Sequence, residues 1–210
     1  MNVTWKSPTI FLVALLSFPL LGFGEFSANL GVTPDYVWRG ESQTDEEPAL
    51  QGGLDYAFTN GLYVGTWASN VKFGDERDVE IDLYGGFGTE FESGLSLDVG
   101  HISYVFPDGD DVDEAYLGLG FKIFEAKYYY DYDNENSYLD GSLSFDLPKG
   151  FGLGLHAGLF DFDQGEDRND YKLAVSKSMW SLDFELGYTD TDWDSNIHDG
   201  RVTFLISKTW

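Results

Sequence analysis

The sequence predicts an all-β protein, a closed antiparallel transmembrane β-barrel of about 12 strands with short periplasmic turns and longer acidic extracellular loops. Three observations carry this. Apolar and polar residues alternate with period two in segment after segment. The links between those segments alternate between short and long. The chain also opens with an apolar leader, after which no stretch offers about 18 consecutive apolar residues, so no transmembrane helix is expected beyond it.

The leader comes first in the chain. Met1–Lys6 carries one positive charge, Pro8–Phe23 carries none and is broken by Pro19, and the small residues Gly22 and Gly24 precede Glu25. This is the pattern of a secretory signal peptide, expected to span 1–24 and to leave a barrel domain over 25–210. Removing Lys6 with it leaves 11 basic against 37 acidic residues, a net of −26 where the whole chain has −25. Such a surface repels phosphate, so no nucleic-acid partner is expected. Cysteine is absent, which excludes disulfides, thiolate metal sites and cysteine nucleophiles. With 17% aromatics and 25 glycines the chain is not a disordered acidic tail.

The strands follow. In 79–91, Val79, Ile81, Leu83, Phe87 and Phe91 occupy one face and Glu80, Asp82, Tyr84, Gly86, Gly88 and Glu90 the other. Ala115, Leu117, Leu119, Phe121 and Ile123 alternate with Glu114, Tyr116, Gly118, Gly120 and Lys122. Leu153, Leu155 and Leu159 alternate with Gly154, His156 and Gly158, and Leu182, Phe184 and Leu186 with Asp183, Glu185 and Gly187. Twelve segments are expected, at 27–38, 49–58, 62–71, 79–91, 95–105, 113–123, 126–132, 138–147, 151–160, 171–176, 179–189 and 200–210. Segments 27–38 and 62–71 alternate least clearly. Links 59–61, 92–94, 124–125, 148–150 and 177–178 are short; links 39–48, 72–78, 106–112, 133–137, 161–170 and 190–199 are longer. An even strand number puts both termini at the short-turn end, and the last strand, ending at Trp210, should pair with the strand beginning near Ser27.

The apolar face is expected outward, with Leu83, Leu119, Leu155 and Phe184 near mid-membrane. A soluble lipocalin-like barrel would turn that face inward. Against this stand the strand number, which encloses more space than side chains fill, and the Gly, Ser and charged residues of the opposite face. Trp38, Phe58, Phe91, Tyr132, Phe151, Tyr171, Trp180, Tyr188 and Trp210 sit near strand ends, where aromatic rings favour the membrane boundary.

Gly31–Asn70 carries Asp35-Tyr36-Val37-Trp38-Arg39-Gly40, Ser42-Gln43, Pro48-Ala49-Leu50-Gln51-Gly52-Gly53 and Gly61-Leu62-Tyr63-Val64-Gly65, and Ser69-Asn70-Val71 continues it. This resembles the TorF family of short proteobacterial outer-membrane proteins classed as porins. The end, Ile206-Ser207-Lys208-Thr209-Trp210, is also similar, with a final aromatic like the signal that the barrel-assembly machinery reads. The resemblance implies a Gram-negative outer membrane, a barrel and a passive channel, and supplies no catalytic residues.

The expected function is therefore a porin-like outer-membrane channel for ions or small solutes; the alternative is a non-conducting barrel whose acidic loops bind cations or a surface partner. The inferred pore lining is Glu80, Asp82, Tyr84, Asp98, Glu114, Tyr116, Lys122, His156, Asp183, Glu185 and Arg201. The six longer links hold 21 acids against Arg39, Lys72, Arg77 and Arg168, and the inward face is acidic as well, so cations should be preferred. No enzyme is expected. His101 and Ser103 share a strand face, but no third orienting residue is evident in sequence. Arg39 is expected to clamp an acidic loop or strand end, and the strand glycines to relieve curvature. No cofactor is expected. The runs at Asp108–Asp111, Asp131–Glu135, Asp161–Asp167 and Asp190–Asp194 read as solvated surface, with Ca²⁺ on these loops as the alternative.

Overall fold

The computed structural model describes residues 24–193 and 200–210; all of the expected leader but Gly24, and 194–199 of the last long link, lie outside the described residues. The strands are β1 (Glu25–Thr33), β2 (Val37–Trp38), β3 (Glu41–Ser42), β4 (Ala49–Ala57), β5 (Leu62–Phe73), β6 (Glu76–Glu90), β7 (Leu95–Val105), β8 (Val112–Phe121), β9 (Phe124–Asp131), β10 (Asn136–Leu147), β11 (Phe151–Asp161), β12 (Arg168–Met179), β13 (Leu182–Thr191) and β14 (Arg201–Thr209). Twelve of them, β1 and β4–β14, form one closed antiparallel barrel, while β2 and β3 pair only with each other. Closure joins β14 to β1 from Asn29↔Thr209 to Val32↔Ile206. The Trp210 amide adds a bond to the Ala28 carbonyl at 2.9 Å. Among the described residues the barrel wall has no edge strand, so every wall strand pairs with a neighbour on each side.

Three expected boundaries are corrected. The first strand stops at Thr33, not 38, because Pro34 follows it and lacks the N–H that a continuing ladder needs. The expected link 72–78 shrinks to a turn at Gly74–Asp75, since β5 and β6 go on pairing through Val71↔Asp78, Lys72↔Arg77 and Phe73↔Glu76. The strand expected at 171–176 runs from Arg168 to Met179. Its turn to β13 is Trp180–Ser181, both at positive φ.

The barrel is apolar outside and polar within. Leu83, Leu119 and Leu155 are exposed on the outer face, as are Leu117, Val99 and Leu173, while Phe184 is half-buried against Trp180. Buried on the inner face are Glu80, Asp82, Glu114, Lys127, His156, Asp170 and Glu185, with the tyrosines Tyr63, Tyr84, Tyr104, Tyr116 and Tyr138. A soluble barrel has the reverse polarity. Exposed rings mark both rims. Phe58, Phe91, Phe121, Phe151, Trp180 and Trp210 lie at the short-turn end, and Tyr130, Tyr132, Tyr171 and Tyr188 toward the loop end. Trp38 belongs to neither rim. It lies on β2, inside the barrel, 5.7 Å from the Tyr104 ring.

The inner-wall glycines serve the tyrosines rather than curvature alone. A Cβ at Gly86 would stand 2.5 Å from the Tyr63 hydroxyl, and one at Gly158 would strike the hydroxyl of Tyr138. Each missing side chain leaves the floor on which a ring from a nearby strand lies.

Candidate site in the barrel interior

The link between β1 and β4 does not extend outward as a loop. It folds into the barrel. Asp35 anchors the entry: its carboxylate accepts the Ser42 hydroxyl at 2.6 Å, the Thr44 hydroxyl at 3.1 Å and Arg201 Nη1 at 2.8 Å. The Tyr36 amide donates to Thr44 Oγ1, and the Gln43 amide to the Tyr36 carbonyl. Strands β2 and β3 make a hairpin with Trp38↔Glu41 as its last pair. Arg39 and Gly40 turn it with φ of 47° and 80°, the two-residue turn in which both residues take the left-handed conformation. Glycine is required at 40 also by space, since a Cβ there would lie 2.8 Å from Asp170 Cβ. Farther out, Lys72 holds Asp45 and Glu47, and Arg77 holds Glu47. Hydrogen bonds from Lys72 and Arg77 keep the Glu47 carboxyl below its ordinary range.

The hairpin delivers Arg39 to the inner wall. Its guanidinium meets the Glu114 carboxylate through two parallel bonds of 2.7 and 2.8 Å, with side chains only 5% and 3% exposed. Four rings surround it: Trp38 and Tyr138 at 4.1 Å, Tyr129 at 4.9 Å and Phe160 at 5.4 Å. The Tyr104 hydroxyl gives Glu114 a further hydrogen bond. Arg39 is thus a clamp, as expected, but on the far wall of the barrel, 75 residues away in sequence, and not on a loop or strand end.

The other inward residues form a paired network. Lys127 meets Asp98 at 2.9 Å, and Lys172 meets Glu185 at 2.8 Å. His156 Nε2 lies 2.8 Å from Asp170, its Nδ1 3.0 Å from Asp140, and Tyr138 donates to Asp170. Tyr63 donates to Asp98 and contacts the Tyr116 hydroxyl, while Tyr84 donates to Asp55. Glu80 and Asp82 differ: both are buried, and neither forms an ion pair among the described residues. Beside the Arg39 turn lies a cavity of about 20 Å³, lined by Val37, Arg39, Gly40, His156, Asp170, Lys172, Thr189 and Thr203, room for about one water.

The sequence-inferred lining residues divide by height. Glu80, Asp82, Tyr84, Glu114, Tyr116, His156 and Glu185 face inward and are buried at mid-level, and Arg201 lies inward beneath the hairpin's anchor. Asp98 is inward and part-exposed, and Asp183 is inward but exposed at the short-turn end. Lys122 is not inside. Strand β8 ends at Phe121, and Lys122 sits in the turn to β9 at positive φ, exposed, with Nζ 5.0 Å from the Phe121 ring. Arg39 takes its place among the interior cations. Tyr36, Trp38 and Thr44 are interior residues that strand alternation does not reveal; Pro34 and the Arg39-Gly40 pair are the signals for them in the sequence.

Two other expectations concern chemistry. His101 and Ser103 lie outside, near the loop end of β7. Ser103 gives its hydroxyl to Asp113, and His101 Nε2 contacts the Tyr132 hydroxyl at 2.6 Å and Asp113 at 3.3 Å. The serine hydroxyl is thus directed to a carboxylate and not to the imidazole. Among the described residues, no three His, Asp or Glu side chains gather to hold a metal. Asp131, at the end of β9, closes the turn that follows by accepting the Asp133 and Asn134 amides.

The fold has solved counterparts. A KdgM porin superposes with a TM-score of 0.65 at 8% identity, covering 88% of this chain and 98% of that one. A KdgM porin in complex with disordered oligogalacturonate gives 0.63 at 9% over the same shares. A NanC porin gives 0.58 at 10%, again over 88% and 98%. At these identities the likeness is one of fold. No curated protein matches the sequence. Residues 22–210 match the family described as "Bacterial protein of unknown function (Gcw_chp)", and the chain belongs to that family.

Proposed function

We propose that this protein is an outer-membrane porin-like channel for passive diffusion of ions or small solutes, cation-preferring, with the 34–48 segment as its constriction. The observation that carries the reading is the barrel's polarity: an apolar outer face between two aromatic rims, around an interior lined by charges. The fold shared with porins and the resemblance to the TorF family support it. The leader and the terminal Trp210 fit secretion and delivery by the barrel-assembly machinery of a Gram-negative outer membrane. Cation preference rests on charge. The longer links are strongly acidic, and Glu90, Asp146 and Asp183 stand exposed on the inner face toward the short-turn end.

A second reading is favoured by packing at mid-level. An open aqueous lumen leaves its lining exposed, yet Glu80, Tyr84, Glu114, Tyr116 and Tyr138 are all less than 10% exposed. On that reading the barrel is closed and its acidic loops bind cations or a surface partner. Planar bilayers separate the two. The channel reading expects discrete current steps that lengthen or grow in Arg39→Met, and a wild type and variant both silent at every voltage would assign the protein to the binding class.

A further inference from the structure

We propose that Glu80 and Asp82, with the hydroxyls of Ser69 and Tyr36, form an interior site for one hard divalent cation of the calcium class. The two carboxylates are alternate residues of β6 on its inner face, 4% and 5% exposed. Glu80 Oε2 and Asp82 Oδ1 have no hydrogen-bond partner. The charges nearest Asp82 are further carboxylates, Glu80 and Glu114, and Glu114 is already matched by Arg39. Every other buried interior acid described above has a basic, hydroxyl or amide partner; Glu80 and Asp82 have only each other, within hydrogen-bond reach, and Tyr36, whose hydroxyl donates to Glu80 Oε1 at 3.5 Å.

Two buried carboxylates side by side repel each other unless positive charge lies between them. A divalent cation balances them one to one. The donors are all oxygen: Ser69 stands opposite Glu80 in the β5–β6 register, and Tyr36 leans in from the inserted segment. Oxygen-only donors select hard cations. Two carboxylates are fewer than a caged site uses, so the cation keeps part of its water. Because Tyr36 belongs to the segment that fills the barrel, occupancy and the segment's seat are linked. The site does not require current to flow, so it stands or falls apart from the channel reading.

The test uses the full mature barrel folded in detergent micelles, with Tb³⁺ as the probe and tryptophan excitation. Trp67 is the cross-strand partner of Asp82, and its ring is 5.4 Å from that of Tyr36, so an ion here is sensitised. Wild type should give saturable emission that Ca²⁺ displaces. Glu80→Gln/Asp82→Asn should weaken Tb³⁺ binding by about tenfold or more, while the loop control Asp110→Asn/Asp111→Asn should stay within about twofold. Trp67→Phe should dim the emission yet keep Ca²⁺ binding by calorimetry, a check that holds if the double variant fails to fold. Undiminished emission in a folded Glu80→Gln/Asp82→Asn barrel, or loss of the signal in the loop control, would overturn the proposal. So would the absence of any sensitised binding in wild type, which would leave a proton as the charge between the carboxylates.

Discussion

Arg39→Met is expected to destabilise the barrel by about 3–5 kcal/mol, because it leaves the Glu114 carboxylate buried without its counter-ion. Both side chains are almost fully excluded from solvent, so the pair is not screened as a surface pair would be. Arg39→Met/Glu114→Gln should recover most of that loss, since neither residue then carries an uncompensated charge. Unfolding in urea from lipid vesicles, followed by tryptophan fluorescence, measures both. The same single variant should loosen the inserted hairpin, whose positive φ at Arg39 is held in place by these contacts. Losses that simply add in the double variant would show that the two residues do not act as a pair.

The second large effect concerns the outer face. Leu117→Arg is expected to cost about 2–4 kcal/mol, the price of a charge near the bilayer midplane. Leu117 is 48% exposed, and its cross-strand neighbours Val99 and Tyr128 are exposed on the same face. Leu119 is one of the four positions expected near mid-membrane. It lies only two residues from Phe121, in the aromatic rim at the short-turn end, so Leu119→Arg should cost less than Leu117→Arg. The urea experiment reads this gradient. Changes below about 0.5 kcal/mol at both sites, the scale of a water-facing substitution, would mean that this face does not meet lipid.

Much of this architecture is legible in the residues. Segment 95–105 coincides with β7, and alternation at 113–123 puts Glu114 and Tyr116 inward and Leu117 and Leu119 outward. Alternation is a local property, so it gives the faces. It does not give the course of a link. Nothing in the run 72–78 separates a loop from two strands that go on pairing around Gly74. Equally, Arg39 among acidic neighbours looks like a loop residue until the closed wall brings Glu114 to it. The packed mid-level interior depends on tyrosines lying over glycines of nearby strands, such as Tyr63 over its cross-strand partner Gly86, and such contacts between strands leave no mark in either strand alone.

Reversal potential across a salt gradient, in a bilayer holding the purified barrel, tests the central reading most directly. A cation-selective sign is expected. The selectivity should decline between 0.1 and 1 M salt, as the Debye length falls from about 10 Å to about 3 Å and the acidic loops are screened. A reversal potential of the anion-selective sign would contradict it.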